Sequence, residues 1–104
     1  MSSPAADAQV KVFQEELGEI LQLCIKNKVQ PMYITTHVTT YFELQIKAGT
    51  IQDYKYTFPA GMTNPTQIVV QAEVWFNPIP YRFLISNTDY DDPISAYDRA
   101  MGVI

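Results

Sequence analysis

Asp89, Asp91 and Asp92 place three carboxylates within four residues, the densest set of possible metal ligands in the chain. Such oxygens suit a hard cation like calcium. The helix–loop–helix calcium pattern also requires a glycine at the sixth loop position and a glutamate at the twelfth. Counted from Asp89, those positions hold Ile94 and Ala100. A capping role explains the acids better: Asp92-Pro93 has the form of a helix start, and Asp89 and Asp91 would favour its positive end. No metal is expected.

Nucleophilic catalysis needs a nucleophile, a base and an orienting group within hydrogen-bond reach. The chain has one imidazole, His37, and one thiol, Cys24. His37 stands among threonines in the middle of a regular segment, and Cys24 falls on an apolar helix face, where a thiol is inert. Glycines at 18, 49, 61 and 102 are too scattered for a phosphate-cradling loop. These observations point away from an enzyme and imply no cofactor.

Residues suited to recognition are more evident. Tyr33, Thr35, His37, Thr39 and Tyr41 alternate along one segment, and Trp75 occupies the matching set of a later one. Tyr, Trp and His present large, stiff, amphipathic surfaces at low entropic cost, which favours them in binding sites. A second candidate is the acidic loop around Asp89, Tyr90 and Asp91, where carboxylates interleaved with aromatics suit a basic surface. On helical phase, Val12, Glu16, Glu19 and Leu23 form a third, weaker feature: a side stripe roughly 120° from the main apolar face.

The elements that carry these residues follow from periodicity. Ser3-Pro4 reads as a cap followed by proline at the first helical position, and Val10, Phe13, Leu17, Ile20, Leu21 and Cys24 recur at helical spacing. Gln30-Pro31 stops that helix. From Met32 to Lys47 the apolar residues alternate, with Met32, Ile34, Val38, Phe42, Leu44 and Ile46 on one side, which predicts a long half-buried strand. A three-residue hairpin at Ala48-Gly49-Thr50 would return it along Ile51–Phe58, pairing Leu44 with Tyr54 and Glu43 with Lys55. Leu44 should then be buried and His37 exposed. The segment 66–76 fits a strand with Ile68, Val70, Ala72, Val74 and Phe76 inward, although a helix capped by Asn64 also fits. Asn77-Pro78-Ile79-Pro80 turns the chain into a strand over Tyr81–Ser86, and Asp92-Pro93 opens a short last helix carrying Ile94, Tyr97 and Met101. The expected fold is a two-layer α+β domain of order α-β-β-β-β-α. Its N-terminal helix packs on a four-stranded antiparallel sheet.

Composition sets the outer bounds. A chain of 104 residues is read as one domain over 1–104, and 47% hydrophobic with 17% charged residues suits a folded core. A formal charge of −4 disfavours direct contact with nucleic acid or anionic membrane. A single Cys excludes an internal disulfide, and the first residues lack the charge and apolar run of a secretory leader, so a cytoplasmic location is expected. The leading expectation is a non-enzymatic protein-binding module (an inhibitor, adaptor or chaperone-like subunit) that uses the aromatic face and the acidic loop. The bare sheet face suggests a homodimer or larger homo-oligomer. The alternatives are a small-ligand binder, with Tyr33, His37, Tyr41 and Trp75 stacking on an aromatic or nucleotide-like ligand and Arg82 or Arg99 holding its anionic group, and a purely structural subunit.

Overall fold

Two helices precede three strands in the computed structural model, which describes residues 4–62, 64 and 66–87. Helix α1 spans Pro4–Lys26 and α2 spans Pro31–Lys47. Strands β1 (Asp53–Thr57), β2 (Val69–Phe76) and β3 (Ile79–Ser86) form an antiparallel sheet of order β1-β2-β3. The α+β class holds. The order is α-α-β-β-β over the described residues, with three strands in place of four. The expected helix at 92–101 and the Ser3 cap lie outside the described residues.

Helix α1 forms as its spacing requires. Phe13, Leu17, Leu21 and Cys24 are buried, with Val10 and Ile20 partly so. It ends where Lys28 adopts φ 54°, letting the Lys28 and Val29 amides donate to the carbonyls of Ile25 (3.1 Å) and Cys24 (2.9 Å).

The main correction concerns residues 32–47, which are helix α2 and not a strand. Ile34, Val38 and Phe42 stand four apart, a spacing that satisfies both a period of 2 and a period of 3.6. The residues that separate the two readings decide it. Tyr41 is buried, whereas Met32 and Leu44, both expected inward, are 69% and 55% exposed. Pro31 supplies a first helical residue that needs no N–H partner. The β-branched residues are accommodated because the Thr35 and Thr36 hydroxyls donate to the carbonyls of Pro31 and Met32 one turn back, each at 3.2 Å. Packing of the apolar stripe overrides their strand propensity.

No hairpin follows. Gly49 takes the left-handed conformation, φ 80°, as a helix stop and not in a hairpin: its amide donates to Ile46 and that of Thr50 to Gln45. The expected strand pairs Leu44–Tyr54 and Glu43–Lys55 do not form; α2 instead packs its side chains on β1. Phe42 stacks on Tyr54 and Tyr56 at 5.2 and 6.0 Å, and Tyr56 shares a hydrogen bond with Thr39. Glu43 receives the Tyr54 hydroxyl, and Lys55 pairs with Glu73 on β2 instead of with Glu43.

The segment 66–76 resolves as a strand. Ile68, Val70, Ala72 and Val74 are buried, pairing across to Ile85, Phe83 and Tyr81 of β3 for the last three of them. β2 and β3 connect directly through Asn77-Pro78, whose peptide bond is cis. Both helices cover the same face of the sheet. Phe13 lies at the centre of that core, with the rings of Tyr41, Phe42, Phe76 and Phe83 within 6.1–6.5 Å. Two buried polar groups tie the layers. Gln14 donates to the Leu84 carbonyl at 2.9 Å, and Asn87 accepts the Ile68 amide while donating to Gln22 of α1.

Candidate functional site

The predicted recognition residues do not share one face. Tyr33, His37 and Tyr41 lie on α2, on the helical side of the sheet. Trp75 lies in β2 on the opposite sheet face, in register with Asp53 and Pro80. The aromatic sheet face expected from alternation is therefore absent as such. Asp89, Tyr90 and Asp91 lie outside the described residues. Tyr33 is 55% exposed and His37 is exposed, whereas Tyr41 is buried.

What the fold does bring together is the α2 set and the side stripe of α1. The turn at 27–30 reverses the chain, and Tyr41, as far past that turn as Glu16 is before it, donates a 2.6 Å hydrogen bond to the Glu16 carboxylate. The helices therefore run antiparallel. By the same count Val12 falls opposite Gln45, next to Leu44, and Leu23 opposite Ile34, next to Tyr33. At 100° per residue, Val12, Glu19 and Leu23 on α1, and Tyr33, His37 and Leu44 on α2, each sit about a third of a turn from their helix's buried side. Both stripes rotate toward the partner helix. They flank one solvent-facing seam whose floor is the Tyr41–Glu16 hydrogen bond.

Among the described residues, four of the six large apolar side chains that remain exposed fall on these two stripes: Val12, Leu23, Tyr33 and Leu44. Met32 falls on the far flank of α2, and Ile79 is at the β2–β3 hairpin. Isolated exposed apolar residues are ordinary, but their collection along one two-helix seam is not. The middle of the α1 side is acidic, with exposed Glu15, Glu16 and Glu19, while α2 carries no charged residue between Pro31 and Phe42.

Burial pushes the Tyr41 phenol well above its ordinary range, and the bond to Glu16 adds to the effect. Tyr54 is pushed up to about 12, chiefly by its hydrogen bond to Glu43. Both groups hold their protons more tightly folded than unfolded. Their contribution to stability is therefore full below about pH 10 and is lost as pH rises through the folded values. In an alkaline titration followed by tyrosinate absorbance, Tyr41 and Tyr54 should ionise above the ordinary tyrosine range. Glu43→Gln should return Tyr54 toward the ordinary range; an unchanged titration curve would refute the bond.

The opposite sheet face carries a separate cluster. Glu73, in the central strand, sits directly across from both Lys55 and Arg82. Lys55 Nζ lies 3.3 Å from one carboxylate oxygen, and Arg82 Nε donates to the other at 3.1 Å. Glu73 is nearly covered, while the side chains of Lys55 and Arg82 are 71% and 76% exposed. Lys55 also stands 5.9 Å above the Trp75 ring. The hydrogen bond from Arg82 holds the Glu73 carboxyl below the usual glutamate range, with Lys55 reinforcing it against the opposing effect of burial. A lowered folded value stabilises the protein above about pH 4.3 and ceases to do so as pH falls through that value. Urea unfolding between about pH 5 and pH 3 should accordingly show a steeper stability loss for wild type than for Glu73→Gln.

Among the described residues no group of His, Cys, Asp or Glu is placed to hold a metal ion, and no helix is long and apolar enough to cross a membrane. Cys24 is buried, which pushes its thiol up and away from reactivity. Sequence reasoning flagged the α1 stripe and, on α2, Tyr33 and His37, but it placed Leu44 on the buried side because α2 was read as a strand. It assigned no role to Glu73, whose only signal was a charge at a solvent-facing position of an apolar strand. No family model, curated protein or solved structure matches this chain.

Proposed function

We propose that this chain is a non-enzymatic protein-binding module whose α1–α2 seam receives an amphipathic helix of another protein, with basic residues beside that helix's apolar face. The observation that carries this reading is the convergence of Val12, Leu23, Tyr33 and Leu44 on one seam. Two antiparallel helices with apolar flanks form the groove into which a third helix packs its own apolar stripe. Charge selects the occupant. A second copy placed two-fold across the seam would set Glu15, Glu16 and Glu19 against their own equivalents, whereas basic flanks on a partner meet them favourably. The polar rim would govern encounter and the four apolar side chains affinity.

The test is affinity capture from the source cell with wild type and with a Leu23→Glu/Leu44→Glu double variant. Both substituted side chains are exposed, so the variant should fold. A partner retained by wild type and lost by the variant supports the reading. A partner retained equally by both, or retention of a second copy of this chain alone, overturns it.

A further inference from the structure

We infer that the outer face of the sheet is an oxyanion-binding site, in which Lys55 and Arg82 together take a phosphate or carboxylate group. This surface is independent of the helical seam and faces away from it. Lys55 on β1 and Arg82 on β3 are drawn toward each other across the central strand because each binds a different oxygen of the Glu73 carboxylate. Two cationic groups are thus held at fixed positions above one carboxylate, giving the cluster a net charge of +1. Among the described residues Arg82 engages Glu73 through Nε alone, which leaves its two terminal nitrogens for bidentate contact with an oxyanion. Most of both side chains remains in solvent, where an incoming anion can reach them.

The surroundings favour a small oxyanion over an apolar ligand. A depression of about 280 Å³ lies between these residues, and its wall includes Thr57 and Gln71, a hydroxyl and an amide able to donate further hydrogen bonds. Its volume sits just below the range of ordinary small-molecule pockets, suiting one phosphate or carboxylate group with little attached to it. Glu73 has two opposed effects: it positions both cations and it repels the ligand. The site should therefore be weak for a free anion and should gain from whatever the anion is attached to. Trp75, the sole tryptophan, reports on it directly, because Lys55 lies over its ring and an anion held by Lys55 and Arg82 changes the charge beside that ring.

The experiment is a fluorescence titration of the full chain with inorganic phosphate and, separately, with acetate, each balanced by chloride at constant ionic strength. Phosphate should give a saturable change of Trp75 emission with a midpoint at millimolar concentration, around 1–10 mM. In Arg82→Gln that midpoint should rise at least about tenfold, as expected when a bidentate charged contact is removed. A response to phosphate and not acetate assigns the site to phosphorylated ligands; a comparable response to acetate assigns it to carboxylates such as those of an acidic peptide. A linear change matched by chloride, or an Arg82→Gln titration superimposable on wild type, overturns the proposal. Circular dichroism of the variant confirms that a lost response is not lost folding.

Discussion

Phe13→Ala is expected to lower the unfolding free energy by about 3–5 kcal/mol, read as a shift in the urea midpoint at unchanged slope. Phe13 has no solvent exposure and touches aromatic rings from both layers: Tyr41 and Phe42 on α2, Phe76 and Phe83 on the sheet. Its removal leaves a cavity walled by large rings that cannot collapse without moving a helix, which places the cost at the upper end for a core truncation. Leu44→Ala provides the contrast. Read as part of a strand, Leu44 belongs inside and should cost as much as other buried leucines. In α2 it is 55% exposed, and its truncation should stay within about 0.5 kcal/mol. A Leu44→Ala variant destabilised by several kcal/mol would restore the strand reading and remove the seam.

The second large effect is on binding. Leu23 and Leu44 stand near opposite ends of the seam, so a helix lying along it must contact both. Interface residues that anchor affinity contribute roughly 2 kcal/mol or more each when truncated, and a buried glutamate in their place adds a desolvation cost. Leu23→Glu/Leu44→Glu should therefore weaken partner binding more than about 100-fold while leaving the thermal midpoint near wild type. His37→Ala, on the same seam but with a smaller apolar surface, should have a lesser effect. Equal loss from a Thr57→Glu control on the outer sheet face would show that the variants act through general charge and not through the seam.

Legibility in the sequence divided along physical lines. Helix α1 was readable because Val10, Ile20 and Cys24 share a face with Phe13, Leu17 and Leu21 at spacings of three as well as four, which alternation cannot reproduce. β2 was readable because Ile68, Val70, Ala72 and Val74 form an alternating run too rich in β-branched residues for a helix to be preferred. Residues 32–47 were misread because Ile34, Val38 and Phe42 are spaced by four, common to both periods, and because threonines and tyrosines tilt local propensity toward strand. Tertiary packing decided between the two, through Tyr41 turning inward toward Phe13 and Glu16. That one error displaced the site. Tyr33 and His37 kept their solvent exposure and Val12 and Leu23 kept theirs, but only the helical register of α2 brings the two sets to one seam. The Lys55–Glu73–Arg82 cluster was illegible for a different reason. It depends on β1 and β3 flanking β2 in register, and strand register across a loop of unknown path is not written in local periodicity.

Placement of the partner on the seam is tested most directly by site-specific photo-cross-linking from position 44 in the source cell, with position 57 on the outer sheet face as control. The expected result is a cross-link from 44, and none from 57, to a single partner protein, mapping to a helical segment with one apolar face flanked by Lys or Arg. A cross-link from 44 to a second copy of this chain, or capture of the partner from 57 alone, would contradict it.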